Sequence, residues 1–146
     1  MAEQLVMNIN VDELARAGKI VNKIRTYYYS KIVGQAQLGV SLLVSMIANG
    51  HILLESVPGL AKTTAARIVT ESVNGKFSRI QCTPDLLPSD IIGTQTFNMT
   101  NNTFETKIGP VYANFVLLDE INRSSAKTQS AMLEAMQERS VSIGGQ

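Results

Sequence analysis

An α/β fold in three layers around a parallel sheet is what this 146-residue chain predicts, and three observations predict it. After Gly50 the pattern alternates between short strand-like runs and helical periodicity, the order expected of βαβ units. The apolar run Phe115-Val116-Leu117-Leu118 delivers two adjacent carboxylates, Asp119 and Glu120; buried strands end this way where they must hold a metal. A second short run, His51 to Glu55, leads into Ser56-Val57-Pro58-Gly59-Leu60-Ala61 and then Lys62-Thr63, which is the order of a phosphate-cradling loop entering a helix.

The first element follows from Asn10 and Glu13, a capping box that Ile9 and Leu14 can staple. Leu14, Ala17, Val21, Ile24 and Tyr28 then recur at helical spacing, so a helix is expected through about Tyr29. Tyr27, Tyr28 and Tyr29 beside Lys23, Arg25 and Lys31 could be read as a base-stacking surface, but three consecutive helical residues point in different directions, and helix packing is the better reading. Val33-Gly34-Gln35 predicts a bend. A second helix is expected from Gln35 to Ala48 with Leu38, Leu42, Leu43, Met46 and Ile47 buried, and Asn49-Gly50 supplies its stop.

Beyond the bend the expected elements are a strand His51 to Glu55, a helix Lys62 to Val73 stopped at Asn74-Gly75, and a strand Phe77 to Cys82. Two prolines punctuate Thr83 to Asp90; Thr94 to Phe97 and Thr103 to Lys107 then flank a polar tip and predict a β-hairpin. Gly109-Pro110 breaks the chain before the strand Phe115 to Leu118. The last helix, Ala126 to Glu138, carries Thr128, Ala131, Met132, Ala135 and Met136 on one face.

Composition narrows the function. An apolar fraction of 45% supports a globular core, and a net charge of +1 with interspersed signs gives no electrostatic case for nucleic acid or membrane binding. Cys82 and His51 are each the sole residue of their type, which excludes an internal disulfide framework and a zinc cluster of Cys and His. No signal-peptide pattern or membrane-spanning run is present, so a cytoplasmic location is expected.

The chemistry rests on two segments. In the usual phosphate-loop pattern, G-x-x-x-x-G-K-[ST], backbone N–H groups turn toward phosphate oxygens; here Ser56 and Ala61 stand at the two Gly positions. Both are small, and Gly59 remains inside the loop. Lys62 is expected to reach the β- and γ-phosphates and the Thr63 hydroxyl to ligate Mg2+. Read alone, the segment is also consistent with a Pro-Gly turn before a surface lysine, and two acids after a strand are also consistent with a helix cap. Their order along one chain favours nucleoside triphosphate binding, with Asp119 at the metal and Glu120 polarising the attacking water.

Glu55 to Thr63, Arg79 to Thr94 and Asp119 to Glu138 closely resemble the MoxR family of AAA+ ATPases, and the likeness extends from about Val33 to Gly145. The family commonly carries Ala before the Lys, as Ala61 does here, whereas Ser56 departs from its Gly. The resemblance implies that Lys62 and Thr63 are the Walker A pair, within a nucleotide-contacting stretch Ser56, Val57, Pro58, Gly59, Leu60, Ala61, Lys62, Thr63 and Thr64. It implies that Asp119 and Glu120 are the Walker B pair, with Glu120 and Lys62 catalytic and Thr63 and Asp119 at the metal. Val33, Gly34 and Gln35 lie where the family meets the adenine. The hairpin is similar to the helix 2 insertion that faces a ring pore.

The fold class implied is a three-layer α-β-α P-loop NTPase (AAA+) core with a parallel sheet and a β-hairpin insertion, truncated before the sensor 1 strand and the helical lid. Residues 1–32 are an N-terminal helical segment and 33–146 a partial AAA+ domain. The absent strand is expected to leave two sheet elements without their shared partner, because it lies between the Walker A and Walker B strands in AAA+ proteins. The implied activity is ATP binding and, in a full-length hexameric ring, Mg2+-dependent hydrolysis that remodels or activates protein clients, often alongside von Willebrand factor A-type proteins. The chain alone is expected to turn over poorly. A nonhydrolysing fragment acting only in nucleotide binding or assembly is the alternative; a small-molecule kinase is disfavoured because no acceptor site stands out.

Overall fold

The computed structural model describes residues 10–55 and 61–143, and the chain divides into two compact units, Met1–Ile52 and Leu53–Gln146. In the first unit, helix α1 spans Val11–Lys31 and α2 spans Ala36–Ile47. The Asn10 side chain caps α1 by accepting from the Asp12 N–H at 3.0 Å; Ile9, the other half of the expected staple, lies outside the described residues. Ile32 to Gln35 form the expected bend, with Gly34 at φ 80°.

Ile24, Tyr28, Leu42 and Leu43 are buried, but Ile47, expected inside, is 62% exposed, and Leu14 and Ala17, on the helically spaced stripe of α1, are exposed as well. Length accounts for Leu14 and Ala17: α1 has 21 residues and α2 only 12. At about 1.5 Å per residue, an antiparallel α2 reaches only the C-terminal part of α1. Ile47 is the last residue of α2, beside a helix end. Of the three tyrosines, Tyr28 is the packing residue, and its hydroxyl donates to the Gln35 carbonyl at 3.2 Å.

In the second unit, α3 spans Lys62–Ser72, β1 Phe77–Gln81, α4 Pro88–Ile92, β2 Gly93–Asn98, β3 Thr103–Ile108, β4 Phe115–Asp119 and α5 Ala126–Glu138. β1 and β4 pair in parallel, from Phe77 opposite Phe115 to Gln81 opposite Asp119. The expected strand His51 to Glu55 carries no sheet ladder. A strand is defined by its ladder to a neighbouring strand, so a strand-like composition alone does not make one.

Alternation along β1 and β4 assigns two faces. Ile80, Val116 and Leu118 turn to one side, packed with Ile91 and Met132, so α4 and α5 cover it. Phe77, Arg79, Gln81, Phe115, Leu117 and Asp119 turn to the other, where the Arg67 guanidinium of α3 lies 5.8 Å from the Phe77 ring centroid. Helices therefore flank the parallel pair on both faces, the three-layer arrangement expected.

The short helix α4 escapes periodicity because it is a single turn, started by Pro88 and held by the Asp90 carboxylate accepting from the Leu87 N–H at 2.9 Å. The hairpin runs from Gly93 opposite Ile108 to Asn98 opposite Thr103. Phe97 and Phe104 stack edge to face at 5.1 Å on its exposed surface. At its base Gly93 has φ 121°, and a Cβ there would lie 2.3 Å from the Lys107 carbonyl oxygen. Gly93→Ala is therefore expected to destabilise this unit by about 2–4 kcal/mol, measured by urea unfolding.

Candidate functional site

The site is built from the second unit, where helix α3 and strand β4 each begin or end on a residue in an unusual backbone conformation. Ala61 sits at φ 53°, ψ 23°, and its carbonyl accepts from the Ala65 N–H at 2.8 Å, which starts α3 at Lys62. A left-handed residue explains why glycine is the usual occupant, since a Cβ there costs about 1–2 kcal/mol. Ala61 has only a methyl group and cannot cap the helix, so the first turn, with Lys62 and Thr63 half-buried and Thr64 exposed, presents backbone N–H groups of the kind that bind phosphate. Ser56, Val57, Pro58, Gly59 and Leu60 lie outside the described residues.

Strand β4 stops at Asp119 because Glu120 turns to φ 58°, ψ 42° and leads into a 3-10 turn, Ile121–Arg123. Non-glycine residues held in this conformation concentrate at functional sites. The turn is pinned from α5: Gln129 Nε2 donates to the Ile121 and Ser124 carbonyls at 3.3 and 3.0 Å. Ser125 caps α5 by accepting from the Thr128 N–H, and Thr128 Oγ1 donates to the Leu86 carbonyl at 2.6 Å. The segment after the acids is thereby tied to the proline-punctuated loop.

A connected set of charges surrounds the two carboxylates. Arg79 Nη2 donates to Asp119 Oδ2 at 2.5 Å and to Gln81 Oε1 at 3.1 Å. Gln81 Nε2 donates to Glu120 Oε2 at 3.1 Å, and Arg123 Nε contacts the same oxygen at 3.1 Å. Both ion pairs are partly solvated, so each is worth about 1 kcal/mol or less, enough to orient but not to lock. Beneath them Cys82 is fully buried, and burial, then the Asp119 charge, pushes its thiol pKa up; the side chain behaves as a small apolar filler.

The register thus gathers Arg79, Gln81, Asp119, Glu120 and Arg123. Asp119 shares a sheet face with α3, the helix that carries Lys62 and Thr63. Val33, Gly34 and Gln35 belong to the first unit, where Val33 is 95% exposed and the Gln35 carbonyl is engaged by Tyr28. Sequence reasoning gave no role to Arg79, Gln81 or Arg123. The signal for the first two was available as alternation in Arg79-Ile80-Gln81, which puts both polar side chains on one face of β1.

Oxygen donors of this kind suit Mg2+. Among the described residues no three His, Cys, Asp or Glu side chains converge as a metal cage, and magnesium characteristically takes one or two protein oxygens, leaving the remainder to water and phosphate. A Thr hydroxyl and one carboxylate fit that demand.

Residues 51–146 match the model of the ATPase family associated with various cellular activities, AAA. The chain is 59% identical over 114 residues to a protein named chaperone MoxR1 from Mycobacterium tuberculosis, covering 78% of this chain and 30% of that one. It is 45% identical over 132 residues to YeaC of Bacillus subtilis, covering 90% of this chain and 39% of that protein. The chain belongs to the MoxR family of AAA+ ATPases. A crystal structure of a candidate ATPase from Cytophaga hutchinsonii superposes with a TM-score of 0.77 at 47% identity, covering 92% of this chain and 43% of that one. The MoxR-family chain thus spans 30% to 43% of these relatives' lengths. The fold is that of the α/β AAA+ P-loop core, and no helix among the described residues is long and apolar enough to cross a membrane.

Proposed function

We propose that this chain supplies the nucleotide-binding part of a MoxR-type motor that binds ATP with Mg2+ and, within a full-length hexameric ring, hydrolyses it to remodel or activate client proteins in the cytoplasm. The observation that carries the reading is the end of β4: Asp119 on the α3 face of the sheet, followed by Glu120 in a turned-out backbone conformation. In this reading residues 33–146 form the ATPase part and 1–32 a helical segment preceding it. Ser56 to Ala61, with the first turn of α3, cradle phosphate, Lys62 neutralises the β- and γ-phosphates, and Thr63 and Asp119 hold Mg2+. Val33, Gly34 and Gln35 meet the adenine.

Bound Mg2+ supplies charge neutralisation across the terminal phosphates. The chain's own contributions are orientation and proton handling. Glu120 accepts a hydrogen bond from the attacking water and takes up its proton as the γ-phosphate departs. Gln81 and Arg123 hold Glu120 Oε2, so they set where that carboxylate points. The exposed hairpin, with Phe97, Met99 and Phe104 uncovered, meets the protein client, and a von Willebrand factor A-type protein is the expected companion. ATP turnover by the assembled full-length protein tests this reading. Phosphate release that requires both Mg2+ and assembly is the expected result, and an assembled ring releasing none contradicts it.

A further inference from the structure

We propose that Arg79 is a displaceable counter-cation of Asp119, competing with Mg2+ for that carboxylate and so setting how much Mg2+ nucleotide binding requires. The inference rests on the reading of Asp119 as a magnesium ligand and adds a regulatory residue to that site. Register and parity place Arg79 on the neighbouring strand two positions behind Asp119's partner, on the same sheet face. The guanidinium therefore reaches forward along the sheet to the strand end, where Nη2 sits 2.5 Å from Asp119 Oδ2.

Three properties make the contact an exchangeable one. The Arg79 and Asp119 side chains retain 48% and 30% of their exposure, so solvent screens the pair and breaking it costs little. Arg79 Nη2 also reaches Gln81 Oε1, an acceptor on its own strand that stays available when Asp119 is taken. The guanidinium cannot shed its charge, so a divalent ion bound to the same carboxylate is repelled until Arg79 withdraws. With Mg2+ absent, Arg79 neutralises Asp119; with Mg2+ and nucleotide arriving from the α3 side, Arg79 relinquishes it.

The test is fluorescence titration of a mant-ATP probe against the wild-type chain, Arg79→Gln and Arg79→Lys, each over a Mg2+ series that includes EDTA. Arg79→Gln is expected to lower the Mg2+ midpoint about two- to fivefold, the factor corresponding to an exposed ion pair. Its affinity in EDTA should match wild type, and Arg79→Lys should keep a midpoint near wild type because it keeps the charge. In the wild-type chain, NMR should show the Arg79 guanidinium protons exchanging faster with Mg2+ and nucleotide than with nucleotide and EDTA, a readout that needs no variant to fold. An unchanged or raised midpoint in Arg79→Gln overturns the role of Arg79 while leaving nucleotide binding intact. Wild-type affinity that is identical in Mg2+ and EDTA overturns the magnesium assignment of Asp119, and this inference with it.

Discussion

Replacing Glu120 with Gln is expected to leave ATP bound while lowering turnover of the assembled full-length protein by about 10²- to 10⁴-fold, the range associated with loss of a positioned general base. The amide is nearly isosteric and its oxygen can still accept from Gln81 Nε2 and Arg123 Nε, the two donors that hold Glu120 Oε2 at 3.1 Å. What it cannot do is accept the proton of an attacking water. Paired measurements of nucleotide affinity and steady-state phosphate release separate the two effects. Undiminished release would remove Glu120 from the mechanism; lost affinity with unchanged release per bound ATP would make it a binding residue.

The second large effect is expected at Lys62, the first residue of α3. Lys62→Ala should weaken ATP binding about 10- to 100-fold, because a charge-assisted contact to phosphate contributes about 1.5–3 kcal/mol. The loss should persist in EDTA, since a direct contact between an ammonium and phosphate oxygens would not depend on Mg2+. Calorimetry or mant-ATP titration reads it. An affinity equal to wild type would mean that the helix start is not a phosphate site and that Ala61 merely ends a turn.

Legibility in the sequence followed the range of the forces involved. Helices α1, α3 and α5, the hairpin and β4 lie within a few residues of where periodicity, Asn-Gly stops and Gly-Pro breaks put them, because those signals are local. Asp119 and Glu120 stood out for the same reason, as acids after four apolar residues. The misses are nonlocal. His51 to Glu55 has a strand's composition, but pairing depends on a neighbour that composition cannot name. Leu14 and Ile47 sit on apolar stripes yet stay exposed, because a stripe is buried only along the length its partner covers. Arg79 and Gln81 became site residues only once β1 and β4 were in register. Ala61 is the opposite case: its departure from glycine was visible as a pattern mismatch, and its left-handed conformation gives that mismatch a physical meaning.

The central claim, that the α3 start and the β4 end together form a magnesium-dependent nucleotide site, is tested most directly by equilibrium dialysis of ATP against the wild-type chain and Lys62→Ala, with Mg2+ and with EDTA. Saturable binding by wild type that tightens with Mg2+ and weakens in Lys62→Ala is the result predicted. Binding that is absent, or equal in all four combinations, would contradict it.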